Sequence, residues 1–187
     1  MNRSDQQLIA DYLAGEENAF AILTNRYLPA VYSFARRLTD SDHDASDIVQ
    51  ETFLRIWRNL KKYQPDQSFK TWLFTITHHA AIDLLRKRKD PALSSWDRED
   101  GGNPLTDSLT DSEPLPDDLF ERQELGQALE QALAKISPDR RTILLLHPED
   151  ELTFEEISKI VGRPVNTVKS QYRRSLSALK AILTAPK

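Results

Sequence analysis

The sequence contains no cysteine, and this absence excludes several kinds of site at once. Without thiols the chain has no disulfide framework, no thiolate-bound zinc and no cysteine nucleophile. Glycine is scarce as well, with five residues among 187, and no segment shows a convincing alternation of apolar and polar residues. Because such alternation is the mark of a half-buried strand, we expect an all-α protein.

Long apolar segments are also missing. The stretch from Met1 to Asp11 is polar and lacks the apolar core of a secretion signal,. No apolar run approaches the roughly 20 residues that a membrane-spanning helix requires. The sequence therefore predicts a cytoplasmic protein that contacts a membrane only through a partner.

Catalytic motifs are absent too. The four histidines are His43, His78, His79 and His147. His78 and His79 are adjacent, so on a helix they point about 100° apart and cannot share a metal ion in ordinary geometry. The sequence has no HExxH motif, no glycine-rich phosphate loop and no GxSxG motif,. We expect no enzymatic activity, no bound metal and no cofactor.

The charge that is present is unevenly distributed. The net charge is −4, which by itself argues against a nucleic-acid partner, because phosphate binding favours basic surfaces,. Residues 1–89 carry 13 basic and 11 acidic side chains, residues 90–124 carry 2 and 11, and residues 125–187 carry 10 and 7. The acidity lies in the middle, and both ends are mildly basic.

The acidic middle is rich in Asp, Ser, Pro and Gly from residue 90 to residue 118. Such a segment cannot bury enough apolar surface to offset its ordering entropy. A long surface loop within one domain is the alternative, although structureless loops of this length are uncommon. We predict a flexible acidic linker at 91–123 between two small helical domains at 1–90 and 124–187.

Apolar residues at three-to-four spacing predict four helices in the first domain,. Ser4 or Asp5 should cap the first helix. Pro29 lies inside the second apolar pattern and should kink or split that helix. Residues 40–44 predict a polar turn before the third helix, whose apolar positions include Ile56 and Trp57. The fourth helix should run from about Phe69 to Lys89.

The second domain has sharper helix boundaries. Thr153 and Glu156 form a capping box at the start of a short helix, and Gly162 fits the left-handed position after its end,. Pro164 then prevents continuation, and Asn166 should cap a longer last helix. A short capped helix, a turn and a longer helix are typical of a helix-turn-helix, in which the second helix enters the major groove of DNA.

The last helix should pack one apolar face and offer one basic face. Five basic residues and no acidic residue occur from residue 165 to residue 187. At 100° per residue the apolar and the polar side chains fall on opposite sides of the helix. The residues expected to pack are Val168, Tyr172, Leu176, Leu179 and Leu183. The alternative is an amphipathic surface helix with a solvated basic face.

The stretch from Phe69 to Lys89 interleaves aromatic residues, threonines and a tetrabasic end. Aromatic faces stack unpaired bases while cations follow the backbone, so this composition suits separated DNA strands. Taken alone the signal is weak. Trp72 and Phe69 also fit a protein core, and a basic helix end is favourable to the helix dipole.

Four stretches of 10 to 28 residues resemble a known protein family. Two stretches resemble region 2 of the extracytoplasmic-function (ECF) sigma factors, in the sigma-70 family: DASDIVQETFLRIW (44–57) and SFKTWLFTITHHAAIDLLRKRK (68–89). Two others resemble region 4 of that family: SPDRRTILLL (137–146) and LTFEEISKIVGRPVNTVKSQYRRSLSAL (152–179). Together they cover most of both predicted domains, in the order found in the family.

The resemblance implies an RNA polymerase sigma factor, which recognises and melts promoter DNA. Its partners would be core RNA polymerase, through the β′ clamp and the β flap, and an anti-sigma protein. The acidic linker would lie in the polymerase channel, where its charge mimics single-stranded nucleic acid. The residues that the resemblance assigns to core polymerase are Asp44, Asp47, Gln50, Glu51, Leu54, Arg55 and Arg58.

The resemblance also assigns two DNA contacts. The residues assigned to the melted minus-ten element are Trp72, Thr75, His78, His79, Arg86 and Lys87. The residues assigned to the minus-thirty-five duplex are Asn166, Thr167, Lys169, Ser170, Gln171, Arg173 and Arg174.

The sequence departs from the family pattern at several of these positions. The pair His78 and His79 stands where the family usually has arginine and asparagine, Gln171 stands where arginine is frequent, and Ser46 replaces a common glutamate. The alternative function is a helix-turn-helix regulator that is not a sigma subunit. Such a regulator needs a sensor or effector domain, and the first 90 residues show no pattern for one.

Overall fold

A computed structural model describes residues 3–65, 68–89, 126, 128–129, 131–147 and 152–184 of the chain. Every regular element that it gives in these ranges is helical, which confirms the predicted all-α fold. The N-terminal bundle comprises α1 (Asp5–Leu13), α2 (Glu17–Thr39), α3 (Asp42–Asn59), a 3-10 turn (Leu60–Lys62) and α4 (Phe69–Lys89). The C-terminal bundle comprises α5 (Pro138–Leu146), α6 (Phe154–Val161) and α7 (Val165–Thr184). The predicted linker at 91–123 lies outside the described residues.

The first two helices begin and end largely where local chemistry places them. The Ser4 hydroxyl accepts from the Gln7 amide, and the Gln7 side chain accepts from the Ser4 amide, so a capping box starts α1,. Helix α2 runs through Pro29 without a break, so the predicted split does not occur. Its inward face buries Leu23, Phe34 and four further apolar residues. That burial offsets the roughly 3 kcal/mol that an internal proline costs a helix.

The predicted polar turn at 40–44 is wrong in its extent. Asp40 adopts a left-handed conformation with φ 58° and closes α2, and Ser41 caps α3 by accepting from the Asp44 amide. Helix α3 therefore begins at Asp42. Two of the residues predicted as turn are the carboxylates of its first helical turn, where the positive end of the helix dipole favours them,.

The predicted boundaries of α6 are confirmed. The Thr153 hydroxyl accepts from the Glu156 amide, the Glu156 carboxylate accepts from the Thr153 amide, and Gly162 has φ 63°. The predicted cap of α7 is wrong. The helix begins at Val165, and the Val168 amide donates to the Pro164 carbonyl at 3.0 Å. Asn166 consequently lies exposed in the first turn of α7 rather than before it.

Replacing Gly162 by alanine is expected to lower the free energy of unfolding by about 1 kcal/mol. A Cβ atom at this position would meet nothing within 4 Å, so the cost comes from the left-handed backbone alone. Urea denaturation of the wild type and Gly162→Ala measures it. Equal stability of the two proteins would show that the end of α6 relaxes to another conformation.

The two bundles pack against each other. A buried apolar cluster contains residues from both, among them Phe34, Leu38 and Phe74 from the first and Ile143, Leu146 and Ile157 from the second. A second cluster lies within the N-terminal bundle and includes Leu8, Leu23, Ile56 and Leu73. Because one core spans both bundles, the faces of α2 and α4 that meet α5 and α6 are not open to solvent.

Candidate nucleic-acid interface

The last helix presents a basic outer face. Val168 is fully buried, while Arg173, Arg174 and Asn166 are exposed. The Arg174 guanidinium folds back along its own helix and donates to the Ser170 hydroxyl at 3.1 Å. Since the buried and basic residues occupy opposite sides, α7 has the arrangement that a groove-binding helix requires.

Lys169 stands at the junction of α6 and α7. Its ammonium Nζ lies 3.6 Å from a carboxylate oxygen of Glu155 and 5.8 Å from the centre of the Phe154 ring. The Lys169 side chain therefore has partners within the helix-turn-helix, and an approaching phosphate would compete with Glu155 for it.

The predicted apolar face of α7 is only partly correct. Tyr172 and Leu179 pack against the shared core, but Leu176 and Leu183 are exposed, and Ser175 is buried instead. Helix α7 has 20 residues, about 30 Å at 1.5 Å per residue, whereas α6 has eight,. The shorter neighbour cannot cover the far half of α7, so apolar residues there remain in contact with water.

Two further members of the predicted minus-thirty-five set are less open than expected. Gln171 is partly buried, and its side-chain carbonyl oxygen is shielded from solvent. Thr167 is also partly buried, and its backbone carbonyl accepts a bond from the Ser170 hydroxyl at 2.9 Å. The outward face of α7 is thus formed chiefly by its arginines and Asn166.

Helix α4 presents a second surface, made of aromatic and basic residues. His79, Arg86 and Lys87 are exposed, while Trp72 and Thr75 are partly buried. The Thr75 hydroxyl donates to the backbone carbonyl of its own helix one turn earlier, at 2.7 Å. Trp72 is thus partly open to solvent near the start of α4, and the exposed His79, Arg86 and Lys87 lie further along the same helix.

An aromatic cluster extends this surface beyond the predicted residues. The Tyr63 ring centre lies 5.3 Å from that of Trp72, and the Phe69 ring centre lies 5.9 Å from it. Lys61 and Lys62 are exposed just before Tyr63. The sequence signal for these missed residues is the Lys-Lys-Tyr run, which continues the aromatic and basic pattern of α4 across the break before it.

His78, which the sequence placed in the minus-ten set, is buried in this structure and does not lie on the exposed surface of α4. The residue is 6% exposed, and its ring Nδ1 lies 3.3 Å from the Thr142 hydroxyl of α5. Burial, with the nearby His79, lowers the pKa of His78 from 6.5 to about 4,. Arg163 acts in the same direction and Asp139 opposes them. The C-terminal bundle covers this side of α4, chiefly with α6 and also through Thr142 of α5, and sequence patterns within α4 could not reveal this packing.

Helix α3 carries a third exposed surface. Asp47, Gln50 and Arg58 are exposed there, and Leu54 is partly exposed between them. Trp57 is 53% exposed, although its spacing predicted a core position. An exposed tryptophan is an uncommon and informative feature, because such residues often anchor protein interfaces. The remaining predicted residues of this face, Glu51 and Arg55, form an ion pair within the helix.

Asp44, which the sequence assigned to core polymerase, does not lie on the exposed face of α3 in this structure. It is 2% exposed, and its carboxylate accepts from the Arg88 guanidinium at 2.5 Å. The pair joins the first turn of α3 to the last turn of α4. Ser46 is buried as well, so its hydroxyl does not lie on the exposed face of α3 either.

Among the described residues, His43, Asp44 and Asp47 are close enough together to share a metal ion. These three side chains already have partners within the protein. His43 Nδ1 lies 3.2 Å from Asp47, and Asp44 is paired with Arg88. No helix within the described ranges is long and apolar enough to cross a membrane.

Comparison with known proteins identifies the family. The model of sigma-70 region 2 matches residues 23–90, and that of sigma-70 region 4 matches residues 126–179. The ECF RNA polymerase sigma factor SigW of Bacillus subtilis is 32% identical over 167 residues, which cover 89% of each chain. The chain belongs to the ECF sigma factors. The ECF RNA polymerase sigma-E factor of Escherichia coli K12 is 30% identical over 177 residues, 94% of this chain and 92% of that one.

The fold of this sigma factor is similar to a solved one. The structure of CnrH in complex with the cytosolic domain of CnrY aligns over 98% of this chain and 99% of CnrH, with 25% identity and a TM-score of 0.71. The region 2 match contains α3 and α4, and the region 4 match contains the helix-turn-helix. A regulator that lacks region 2 is therefore not favoured.

Proposed function

We propose that this sigma factor binds core RNA polymerase through α3, holds the opened minus-ten strand on α4 and reads the minus-thirty-five duplex with α7. The observation that carries the proposal is the presence, in one chain, of the exposed α3 and α4 surfaces within region 2 and an exposed basic helix within region 4. We further propose domain limits of 1–90 and 124–187, with the acidic segment 91–123 as the connector in the polymerase channel.

The proposed polymerase contact centres on Trp57. A large apolar side chain that is half exposed gains most when a partner covers it, and tryptophan is among the commonest anchors of interfaces,. Polar and charged side chains that would form the rim of this contact lie on the same helix. They are Asp47, Gln50, Glu51, Arg55 and Arg58, and the apolar Leu54 lies among them. Asp44 positions α3 through Arg88 and does not contact polymerase.

The proposed minus-ten contact uses the aromatic cluster as a stacking platform. Base stacking on an aromatic side chain contributes about 1–3 kcal/mol per base, and neighbouring cations follow the strand. Trp72 and Tyr63 supply the rings, and exposed lysines and arginines lie at both ends of the surface. Thr75 and the exposed His79 lie where they can contact a base edge.

Arg173→Ala is expected to cost about 1–3 kcal/mol of binding at one base pair of the minus-thirty-five element. An exposed arginine on the outer face of α7 can contact a guanine edge with two hydrogen bonds,. Promoter variants with single base-pair changes, measured with the polymerase holoenzyme, locate the effect. Lys180→Ala, further along the same helix, is the control. An equal loss on all promoters would show that Arg173 contacts only phosphate.

The proposal has consequences for partners and location. The protein would act in the cytoplasm, perform no catalysis of its own and reach a membrane only through an inhibitor. CnrH was solved with the cytosolic domain of CnrY bound, which supports a protein partner for this chain too. We propose that this partner is an anti-sigma protein.

Capture by core polymerase tests the proposed function. The wild type should bind purified core and direct transcription from a limited set of start sites, which sequencing of the transcripts identifies. Trp57→Ala should weaken binding to core at least tenfold, because truncating an interface anchor costs about 2 kcal/mol or more. Leu13→Ala is the matched control, since Leu13 is 48% exposed on α1, away from the proposed surface.

The outcomes are distinct. Absence of core binding by the wild type, or no gain in start-site selectivity, would overturn the proposed function. Equal weakening by Trp57→Ala and Leu13→Ala would refute the assignment of the contact to α3.

A further inference from the structure

The aromatic cluster at the start of α4 has two layers. Phe69 is 4% exposed and forms the inner layer. Trp72 and Tyr63 are partly exposed and form the outer layer, with ring centres 5.9 Å and 5.8 Å from that of Phe69. The Phe69 ring packs in turn against Tyr27 of α2, with 5.4 Å between the two ring centres. The outer rings are the stacking platform proposed above, and Tyr27 supports them through Phe69.

Helix α1 holds Tyr27 in place. The Tyr27 hydroxyl donates to the Asp5 carboxylate, and the Arg26 guanidinium donates to the same carboxylate. Arg26 also donates to the Arg3 carbonyl at 2.6 Å, so it binds the start of α1 at two points. Burial and the hydrogen bond to Asp5 raise the pKa of Tyr27 above its ordinary value,. The hydroxyl is therefore protonated at neutral pH and donates to Asp5.

A second contact joins α1 to the segment that precedes α4. The Gln6 side-chain amide donates to the Pro65 carbonyl at 3.3 Å. Pro65 follows Tyr63 by two residues, and the Tyr63 backbone leaves the 3-10 turn in an extended conformation. Gln6 and Asp5 are neighbours in the first turn of α1. This one turn therefore contacts two supports of the aromatic cluster, which are Tyr27 and the segment that carries Tyr63.

We propose that Asp5 and Gln6 are positioning residues for the minus-ten contact, and that they hold the rings of the stacking platform in place before DNA arrives. The inference rests on the proposed function. Asp5 acts through Tyr27 and not on DNA. A side chain that must be ordered during binding costs affinity, whereas a ring that is already held in its bound position does not. Loss of the support should therefore weaken the minus-ten contact and leave the minus-thirty-five contact unchanged.

Tyr27→Phe tests the inference, because it removes the hydroxyl and keeps the ring. Tyr32→Phe is the matched control, since Tyr32 lies on the same helix and its hydroxyl donates to another carboxylate, that of Asp42, at 3.0 Å. Two DNA probes are made from a promoter that transcript sequencing identifies. One is a duplex that ends before the minus-ten element, and the other adds the minus-ten strand as a single-stranded overhang.

The polymerase holoenzyme is measured with both probes. Tyr27→Phe should weaken binding of the overhang probe roughly threefold to tenfold and leave binding of the duplex probe unchanged. In a Trp72→Ala background the same change should have almost no further effect, because the ring through which it acts is gone. A merely structural role of Tyr27 would affect both probes and would not depend on Trp72.

The motion of Trp72 reports the same support without DNA or polymerase. The chain has three tryptophans, so Trp57→Phe and Trp96→Phe leave Trp72 as a single fluorophore. Time-resolved fluorescence anisotropy of the free, full-length protein should show faster and wider motion of the Trp72 ring after Tyr27→Phe. Tyr32→Phe should leave this motion as it is in the parent protein.

The two measurements separate this inference from the proposed function. Unchanged Trp72 motion in folded Tyr27→Phe, or equal losses on both DNA probes, would overturn the positioning role. If the wild-type chain does not bind core, the proposed function fails, while the anisotropy of the free protein still decides whether α1 holds the Trp72 ring. Should Tyr27→Phe not fold by circular dichroism, Gln6→Ala takes its place, since Gln6 is exposed and its loss releases Pro65.

Discussion

Arg88→Ala is expected to lower the free energy of unfolding by about 3 kcal/mol. Asp44 is almost fully buried, and without the guanidinium its charge has lost the cation that compensates it. Removal of one partner of a buried pair costs about 3–5 kcal/mol. The lower end applies because the Arg88 side chain is 56% exposed, so water can replace part of the contact,. Urea denaturation at neutral pH measures the change.

Two matched variants make the Arg88 result specific. Arg86→Ala removes a neighbouring, more exposed arginine that pairs with Asp83 at 3.5 Å, and should cost at most about 0.5 kcal/mol,. Asp44→Asn placed in the Arg88→Ala background removes the uncompensated charge and should recover part of the lost stability. A loss below 0.5 kcal/mol for Arg88→Ala, or no recovery in the double variant, would contradict a pair that ties α3 to α4.

Acidification is expected to destabilise the folded chain through His78. Its folded pKa of about 4 lies below the ordinary 6.5, so the unfolded chain takes up a proton first as pH falls. Above pH 6.5, His78 does not lower the free energy of unfolding. Between pH 6.5 and about 4, the free energy of unfolding decreases progressively because the unfolded chain binds the proton more tightly. The full loss is about 3 kcal/mol, at 1.36 kcal/mol per pKa unit. The cause is burial against the C-terminal bundle, with positive charge from His79 and Arg163 in the same direction and Asp139 opposed.

His78→Leu isolates this contribution. The variant keeps nearly all other titrating groups, so the difference between its stability curve and that of the wild type reports His78. The difference should be constant above pH 7 and should change in favour of the variant by about 3 kcal/mol toward pH 4. His79→Leu, at the exposed neighbouring position, removes a smaller cause of the same pKa shift and should retain most of the wild-type loss. Parallel curves for wild type and His78→Leu across this range would show that His78 is accessible to protons in the folded state.

Local rules predicted most helix boundaries correctly. Helix α4 runs from Phe69 to Lys89 as expected, and the Thr153–Glu156 capping box and the left-handed Gly162 delimit α6. These features depend on residues within four positions of one another, because capping bonds and glycine conformations are satisfied inside a single turn. Capping patterns predicted the wrong first residue for two helices, α3 and α7. Ser41 rather than the expected turn begins α3, and α7 begins before Asn166.

Burial was harder to predict than helix position. Trp57 matched a core spacing but is exposed, because none of the residues that the structure describes covers that part of α3. Leu176 and Leu183 extend beyond their short neighbour α6. Periodicity gives the direction of a side chain around its own helix, but not whether another element lies opposite. The apolar pattern of a single helix therefore wrongly predicts a core position for these three residues.

The helical composition, the motifs of regions 2 and 4 and the basic face of α7 could all be predicted from the order of the residues. Three contacts could not: Asp44 with Arg88, His78 with Thr142, and Arg141 with the end of α2. The partners in these contacts are 44, 64 and 103 positions apart along the chain. Their meeting depends on the packing of whole helices, for which no short-range pattern in the amino-acid sequence carries a signal.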